Sequence, residues 1–271
     1  MGMVKAYTRN YARRDAENTD ANPSEGVWAR YNEGFDKIRM FEDFVNLGIG
    51  STDDTNGWKY AIDTGCTVAA IDEFGGIIRL AIDGDGTNEA ASIQSGGATG
   101  GAWKIDKDDK QQLWFEARWR VSQVTSDHGI AVGLGEAAVT LADVVADGCG
   151  ALEDKDFVGF TVFDDDNDAL DCYYKKDNET AVIHQSAADT LVASTWVKTG
   201  MWFDGIKLHY YINGDEVSAG GLAIGGSSGV HATFPENEPL SVIISHKTQG
   251  GTASNLDVDW VMVACERVKS S

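Results

Sequence analysis

Residues Lys207–Val217 read KLHYYINGDEV, and this stretch decides the fold. Ile206, Leu208, Tyr210 and Ile212 alternate with Lys207, His209 and Tyr211. A period of two belongs to a β-strand with one buried and one more polar face. Asn213-Gly214 follows at once. Both residues tolerate positive φ, which the centre of a two-residue type I′ hairpin requires. The stretch therefore predicts a strand that folds back on itself, with Glu216-Val217 beginning the return.

The same pattern extends in both directions. Leu170–Lys175, Thr180–Gln185, Trp196–Phe203 and Ile206–Ile212 read as an antiparallel meander. Leu113–Val121 is the clearest long strand, with Leu113, Phe115, Ala117, Trp119 and Val121 on one face and Trp114, Glu116, Arg118 and Arg120 on the other. Three earlier segments end alike, at Ile62-Asp63, Ile71-Asp72 and Ile82-Asp83, each followed within a few residues by glycine. Strand, turn and strand at this spacing mark a sandwich or barrel. Ile130–Leu134, Phe157–Phe163, Leu240–Ser245 and Leu256–Ala264 add further strands, while Ala137–Ala146 has helical spacing and predicts one short helix. By the layer argument the chain is an all-β antiparallel sandwich.

Composition bounds the partners. The 271 residues carry 43 acidic and 22 basic side chains, a formal net charge of −21. Such a surface repels nucleic acid and anionic membranes, so neither is an expected partner. No apolar run is long enough for a transmembrane helix, and the first residues, MGMVKAYTRNYARR, lack the apolar centre of a secretory signal. Cys66, Cys149, Cys172 and Cys265 stand far apart with no CxxC pair, which predicts reduced, mostly buried thiols and no structural zinc.

Residues 1–37 differ from the rest. Lys5, Arg9, Arg13 and Arg14 precede a polar, acidic stretch, and no strand or helix period runs through it. Its aromatics are too many for a plain linker. We therefore read residues 1–37 as an arm and 38–271 as the sandwich domain, with Tyr7, Arg9, Tyr11, Arg13, Arg14, Trp28 and Tyr31 as candidate partner-binding residues. A basic arm on an acidic body predicts electrostatic docking between copies, and hence a homo-oligomer.

In order along the chain, LWFEARWRVS, GIAVGLG, FVGFTVF, TGMWFDGIKLHYYINGDEV and LDVDWVMVAC resemble the concanavalin A-like jelly-roll superfamily, the fold of legume lectins, laminin-G modules and laminarinases. Within it, the Asp-Trp closing strand, the missing signal and the arm look most like virion structural proteins of tailed bacteriophages. That resemblance implies a non-enzymatic capsid decoration protein on the virion surface, whose partners are the major capsid protein and copies of itself. The alternative it implies is a lectin-like module for host glycans.

The individual chemistries divide as follows. A retaining glycosidase needs two carboxyl groups about 5–5.5 Å apart. Laminarinases supply them as Glu-x-Asp-x-Glu on one strand, a triplet absent here. Glu116 stands beside Arg118 and Arg120, an ion-paired face, whereas Asp257 and Asp259 share a face of the closing strand without a visible third group. Asp164–Asp168 resembles the start of a calcium loop but lacks the EF-hand glycine and terminal glutamate, and reads as an acidic hairpin tip. Trp58, Trp103, Trp114, Trp196 and Trp202 are possible sugar platforms, and Trp114 shares the polar face of its strand. The five histidines have no partnered nucleophile motif, and no phosphate loop precedes a helix. No cofactor, metal or catalytic residue is expected.

Overall fold

The computed structural model describes residues 37–45, 57–71, 73, 76–96, 101–106, 108–125, 127–136, 144–164, 168–218, 220–224 and 233–266. Sixteen strands occur among them and no helix. In chain order the first eight are β1 (Lys37–Glu42), β2 (Trp58–Ile62), β3 (Thr67–Ile71), β4 (Ile77–Ile82), β5 (Thr87–Ser95), β6 (Leu113–Val121), β7 (His128–Glu136) and β8 (Phe157–Val162). The second eight are β9 (Ala169–Lys175), β10 (Val182–Thr190), β11 (Val197–Phe203), β12 (Lys207–Ile212), β13 (Asp215–Glu216), β14 (Leu222–Ala223), β15 (Leu240–Gly250) and β16 (Ser254–Glu266).

They form two antiparallel sheets. Sheet A runs β13-β12-β11-β6-β16-β4-β3, with β1 beside β16 and β14 beside β12; sheet B runs β10-β9-β8-β7-β15-β5-β2. Alternation drives their stacking. Leu113, Phe115, Ala117, Trp119 and Val121 of β6 all enter the core between the sheets, as the period of two predicts. From sheet B, Ile130, Val132 and Leu134 meet them, together with Val158, Phe160 and Val162. Each Leu, Ile, Val or Phe among them, fully buried, contributes about 1.5–3 kcal/mol. Two of the large core aromatics tie their polar atoms to neighbours. Trp119 Nε1 donates to Thr199 Oγ1 at 3.0 Å, and the Tyr210 hydroxyl donates to the Tyr173 carbonyl at 3.2 Å.

The hairpin forms as expected. Asn213 has φ 51° and Gly214 φ 98°, and Ile212 pairs with Asp215 across the turn. Leu208, Tyr210 and Ile212 are buried, whereas Ile206 lies just before the strand and is 49% exposed. Of the three Asp endings, Asp72 lies outside the described residues; Asp63 Oδ2 accepts the Ala90 N–H at 2.8 Å, and Asp83 Oδ1 accepts the Asp85 N–H at 3.3 Å. All four cysteines are buried.

One element departs from expectation. Of the predicted helix Ala137–Ala146, residues 137–143 lie outside the described residues, and 144–146 are not helical. Val145 bridges Leu152, the Ala146 N–H donates to Ala151, and Gly148 and Cys149 turn with positive φ. The segment is a hairpin laid on the outer face of sheet B. There Val144, Val145 and Leu152 pack on Ala131, Phe157 and Ile243, a burial no single helix face would provide. Lys247, 4% exposed, pins it through the Val145 carbonyl at 3.1 Å and Asp147 at 2.6 Å.

Candidate functional site

Sheet A presents the chemistry. Opposite its core face, β6 carries Trp114, Glu116, Arg118 and Arg120, and β11 carries Lys198, Gly200 and Trp202 in register with Arg118, Glu116 and Trp114. On β12, His209 stands opposite Trp202. On β16, Asp257 stands opposite both Arg120 and Arg79 of β4.

The charges of this face are paired. Asp257 accepts Arg79 through both carboxylate oxygens, at 2.6 and 2.9 Å, and Arg120 at 2.9 Å. Arg120 also reaches Glu73 at 2.6 Å, Arg118 binds Asp259, and Lys198 lies 3.7 Å from Glu116. The two guanidinium groups sit over the ring of half-exposed Trp196, at 4.6 and 4.5 Å from its centroid. Asp257 and Asp259 are therefore both engaged by arginine.

A second cluster lies towards the β12 end. Trp202 stacks on His209 with centroids 5.0 Å apart, and its Nε1 donates to Gln112 at 3.3 Å. Both ring nitrogens of His209 face carboxylates, Glu216 at 2.8 Å and Asp204 at 3.3 Å. Burial pushes the Asp204 carboxyl up, but the N–H groups of Lys207 and Ile206 and the His209 ring outweigh it and hold the group below its ordinary range. Gly221 closes over the imidazole: at φ 82°, an added Cβ would stand 2.8 Å from the ring. Only glycine fits there.

Several expected site residues fall elsewhere. Tyr7, Arg9, Tyr11, Arg13, Arg14, Trp28 and Tyr31 lie outside the described residues. Trp58 and Trp103 are core side chains, and Trp114, at 5% exposure, is buried between Ala264, Trp202 and Met262. Trp196 and Trp202 remain half-exposed, and so does Trp260, which alternation had not marked. Leu256 and Val258 point inward, so strict alternation would bury Trp260 as well. A register shift between Val258 and Trp260 reverses the phase, so that Val261 and Val263 take the core and Trp260 turns outward beside Phe41, 6.3 Å away. Of the acidic loop, Asp164 and Asp168 are described; Asp164 accepts the Asp127 N–H, and no group of three or more metal-ligating side chains occurs among the described residues.

One pair went unforeseen. Glu136 ends β7 and Asp156 precedes β8, and the Glu136 N–H donates to the Asp156 carbonyl at 2.9 Å. Both carboxyl groups are pushed up. Burial is the main cause for each, and the charge of Asp156 adds to it for Glu136. They line a cleft with Lys155, Phe157, Leu152 and Ile243 that has room for about one water molecule. A proton can be held there, but no sugar ring fits.

No protein-family model matches the sequence, and no curated relative does. Solved structures do match in fold. A family 16 glycoside hydrolase, an endo-glucanase from Bacteroides ovatus, aligns at TM-score 0.55 and 13% identity, over 83% of this chain and 99% of that one. Peanut lectin aligns at TM-score 0.53 and 14% identity, over 86% and 99%. A structure described with endo-acting O-glycanases of the human gut microbiota aligns at 0.52 and 13%, over 83% and 97%. The expectation that the chain is not an enzyme is corrected by these comparisons: endo-glucanases share its fold, so the architecture is one that also carries hydrolases. Lectins and hydrolases are both neighbours, and the chain has the concanavalin A-like jelly-roll fold.

Proposed function

We propose that this chain is a carbohydrate-binding β-sandwich that holds glycans on the outer face of sheet A. The carrying observation is that Trp196, Trp202 and Trp260 are half-exposed on that one face, among fixed guanidinium and carboxylate groups. A flat aromatic ring stacks on the apolar face of a sugar, and charged planar groups beside it bond the hydroxyls. Rigidity favours the site, since the Arg118 and Arg120 guanidiniums and His209 are already held by partners before ligand arrives. Lectins of the same fold support the reading at the level of architecture.

The expectation of a virion role rests on the arm, the missing signal and the Asp259-Trp260 closing strand; the arm lies outside the described residues, and in β16 Asp259 pairs with Arg118 while Trp260 lies beside Phe41, which supports a glycan-binding face rather than a capsid contact. The test is a glycan array on the full chain, followed by calorimetry on the best ligand with the Trp202→Ala and Trp196→Ala variants. Saturable binding that falls at least about tenfold in either variant supports the reading, a loss of about 1.4 kcal/mol. Binding unchanged in both, or absent across the array, overturns it. Reducing-sugar release measured on the same ligands shows whether binding is coupled to cleavage.

A further inference from the structure

Large apolar side chains scattered singly over a surface are ordinary, whereas a group of them marks a contact. Seven are exposed among the described residues, and three of these, Ile38, Phe41 and Val45, fall within the single short stretch 37–45. Ile62, Ile183, Val192 and Ile206 are spread along the rest of the chain. On β1, alternation sends Met40 against the core and Phe41 to the outer face of sheet A. There Phe41 stands opposite half-buried Met262, with its ring 6.3 Å from that of half-exposed Trp260.

We propose that this patch is the seat of the chain's own N-terminal arm, with Trp28 and Tyr31 laid over Phe41, Met262 and Trp260 of the same copy. Both arm residues lie outside the described residues, and their place in the chain names them as the occupant. The first residue of β1 is Lys37, so Tyr31 and Trp28 stand six and nine residues before it. At about 3.3–3.6 Å per extended residue, six residues reach about 20 Å and nine about 30 Å. Phe41 is four residues along β1, about 13 Å from Lys37, so both rings reach it on turning back. Aromatic rings pack well on a surface of phenyl, indole and thioether groups. A tether this short holds its end at an effective concentration in the millimolar range. A second copy has no such advantage, and it brings a formal charge of −21 against another of −21. The arm is then a clasp within one copy, and its aromatic residues are engaged until a partner displaces them. Only the Trp260 end of the outer face is covered, since Trp202 and Trp196 lie beyond β6 on and beside β11.

The experiment replaces Tyr31 of the full chain with photoreactive p-benzoylphenylalanine, irradiates dilute protein and maps the cross-links by mass spectrometry. Links within one chain to residues 38–42 or 260–262 are expected, at a yield that dilution leaves unchanged. Phe41→Ser cuts that yield about fivefold or more, as loss of an aromatic anchor does. Links between two chains, links to other parts of the sandwich, no links, or a yield indifferent to Phe41→Ser overturn the proposal. Trp28→Ala combined with Tyr31→Ala tests it from the arm. Hydroxyl-radical oxidation of Phe41 and Trp260 then rises several-fold, while Trp119, which has no exposure and reports any loss of folding, stays protected. Oxidation of Phe41 and Trp260 unchanged by the double substitution overturns the proposal as well.

Discussion

His246 lies in the core on β15 with no exposure, beside Thr248 and diagonal to His128 of β7. Neither ring nitrogen sits in normal hydrogen-bond geometry to a partner. Burial, and then the neighbouring His128, push its pKa from 6.5 down to about 3, and the nearby Leu80 carbonyl offsets little of this. The folded state therefore keeps the ring neutral, whereas the unfolded chain takes up a proton below the ordinary value. A depressed histidine gives its full stability above about pH 6.5 and loses it as pH falls towards 3. The slope is about 1.4 kcal/mol per pH unit, so by pH 4.5 the loss is about 2.7 kcal/mol. Other groups titrate in the same window. His128 is also depressed by burial, Glu89, Glu136 and Asp156 are raised, and Asp106 and Asp204 are lowered. A difference between two chains cancels most of these. We predict that His246→Leu matches wild type at pH 7.5 within about 1.5 kcal/mol, as volume-conserving swaps do, and gains on it by about 2–3 kcal/mol at pH 4.5. Urea unfolding at four pH values measures both curves. A gap that stays constant to within about 0.5 kcal/mol across the series, the scatter expected of independent sites, would refute a neutral, buried His246.

Three further outcomes follow from the packing. Asp257→Asn removes the charge that holds Arg79 and Arg120, and lowers unfolding stability in urea by about 1.5–3 kcal/mol, the range of hydrogen bonds to charged groups. Gly159→Val drives a Cβ to 2.5 Å from the Val132 carbonyl and 2.7 Å from Gly133 Cα, both backbone atoms, and costs about 3 kcal/mol or more; a thermal melt equal to wild type would contradict that geometry. Burial raises the Cys66 thiol to about 11 and that of Cys149 to about 12, so native protein resists alkylation at pH 8 and labels at all four cysteines only once unfolded, as mass spectrometry would show.

The parts of the fold legible in the sequence are those whose cause is local. Asn213-Gly214 turns because two adjacent residues accept positive φ, and β6 declares its faces because one period holds for nine residues. What failed depended on distant chain. Trp114 shares a face with charged residues, yet Ala264 and Met262 of β16 bury it. Trp260 was hidden by a register shift that leaves no mark in composition. Residues 144–146 continue a helical spacing, but a sheet face with room for Val144 and Leu152 outweighed it. Glu136 and Asp156 meet only because β7 and β8 pair Gly135 with Phe157, and no local motif joins them.

The order of synthesis is at odds with the order of the sheets. As the last of the described strands to leave the ribosome, β16 nevertheless lies at the heart of sheet A, with β6 along one side and β4 and β1 end to end along the other. Until it emerges, β6 can pair only with β11 and β4 only with β3, and nothing joins these two groups or β1 to one another. Closure of this sheet into one piece is thus postponed to a single late insertion. A chain shortened before Ser254 would leave no smaller domain behind; it would leave a set of sticky strands for the chaperones to manage.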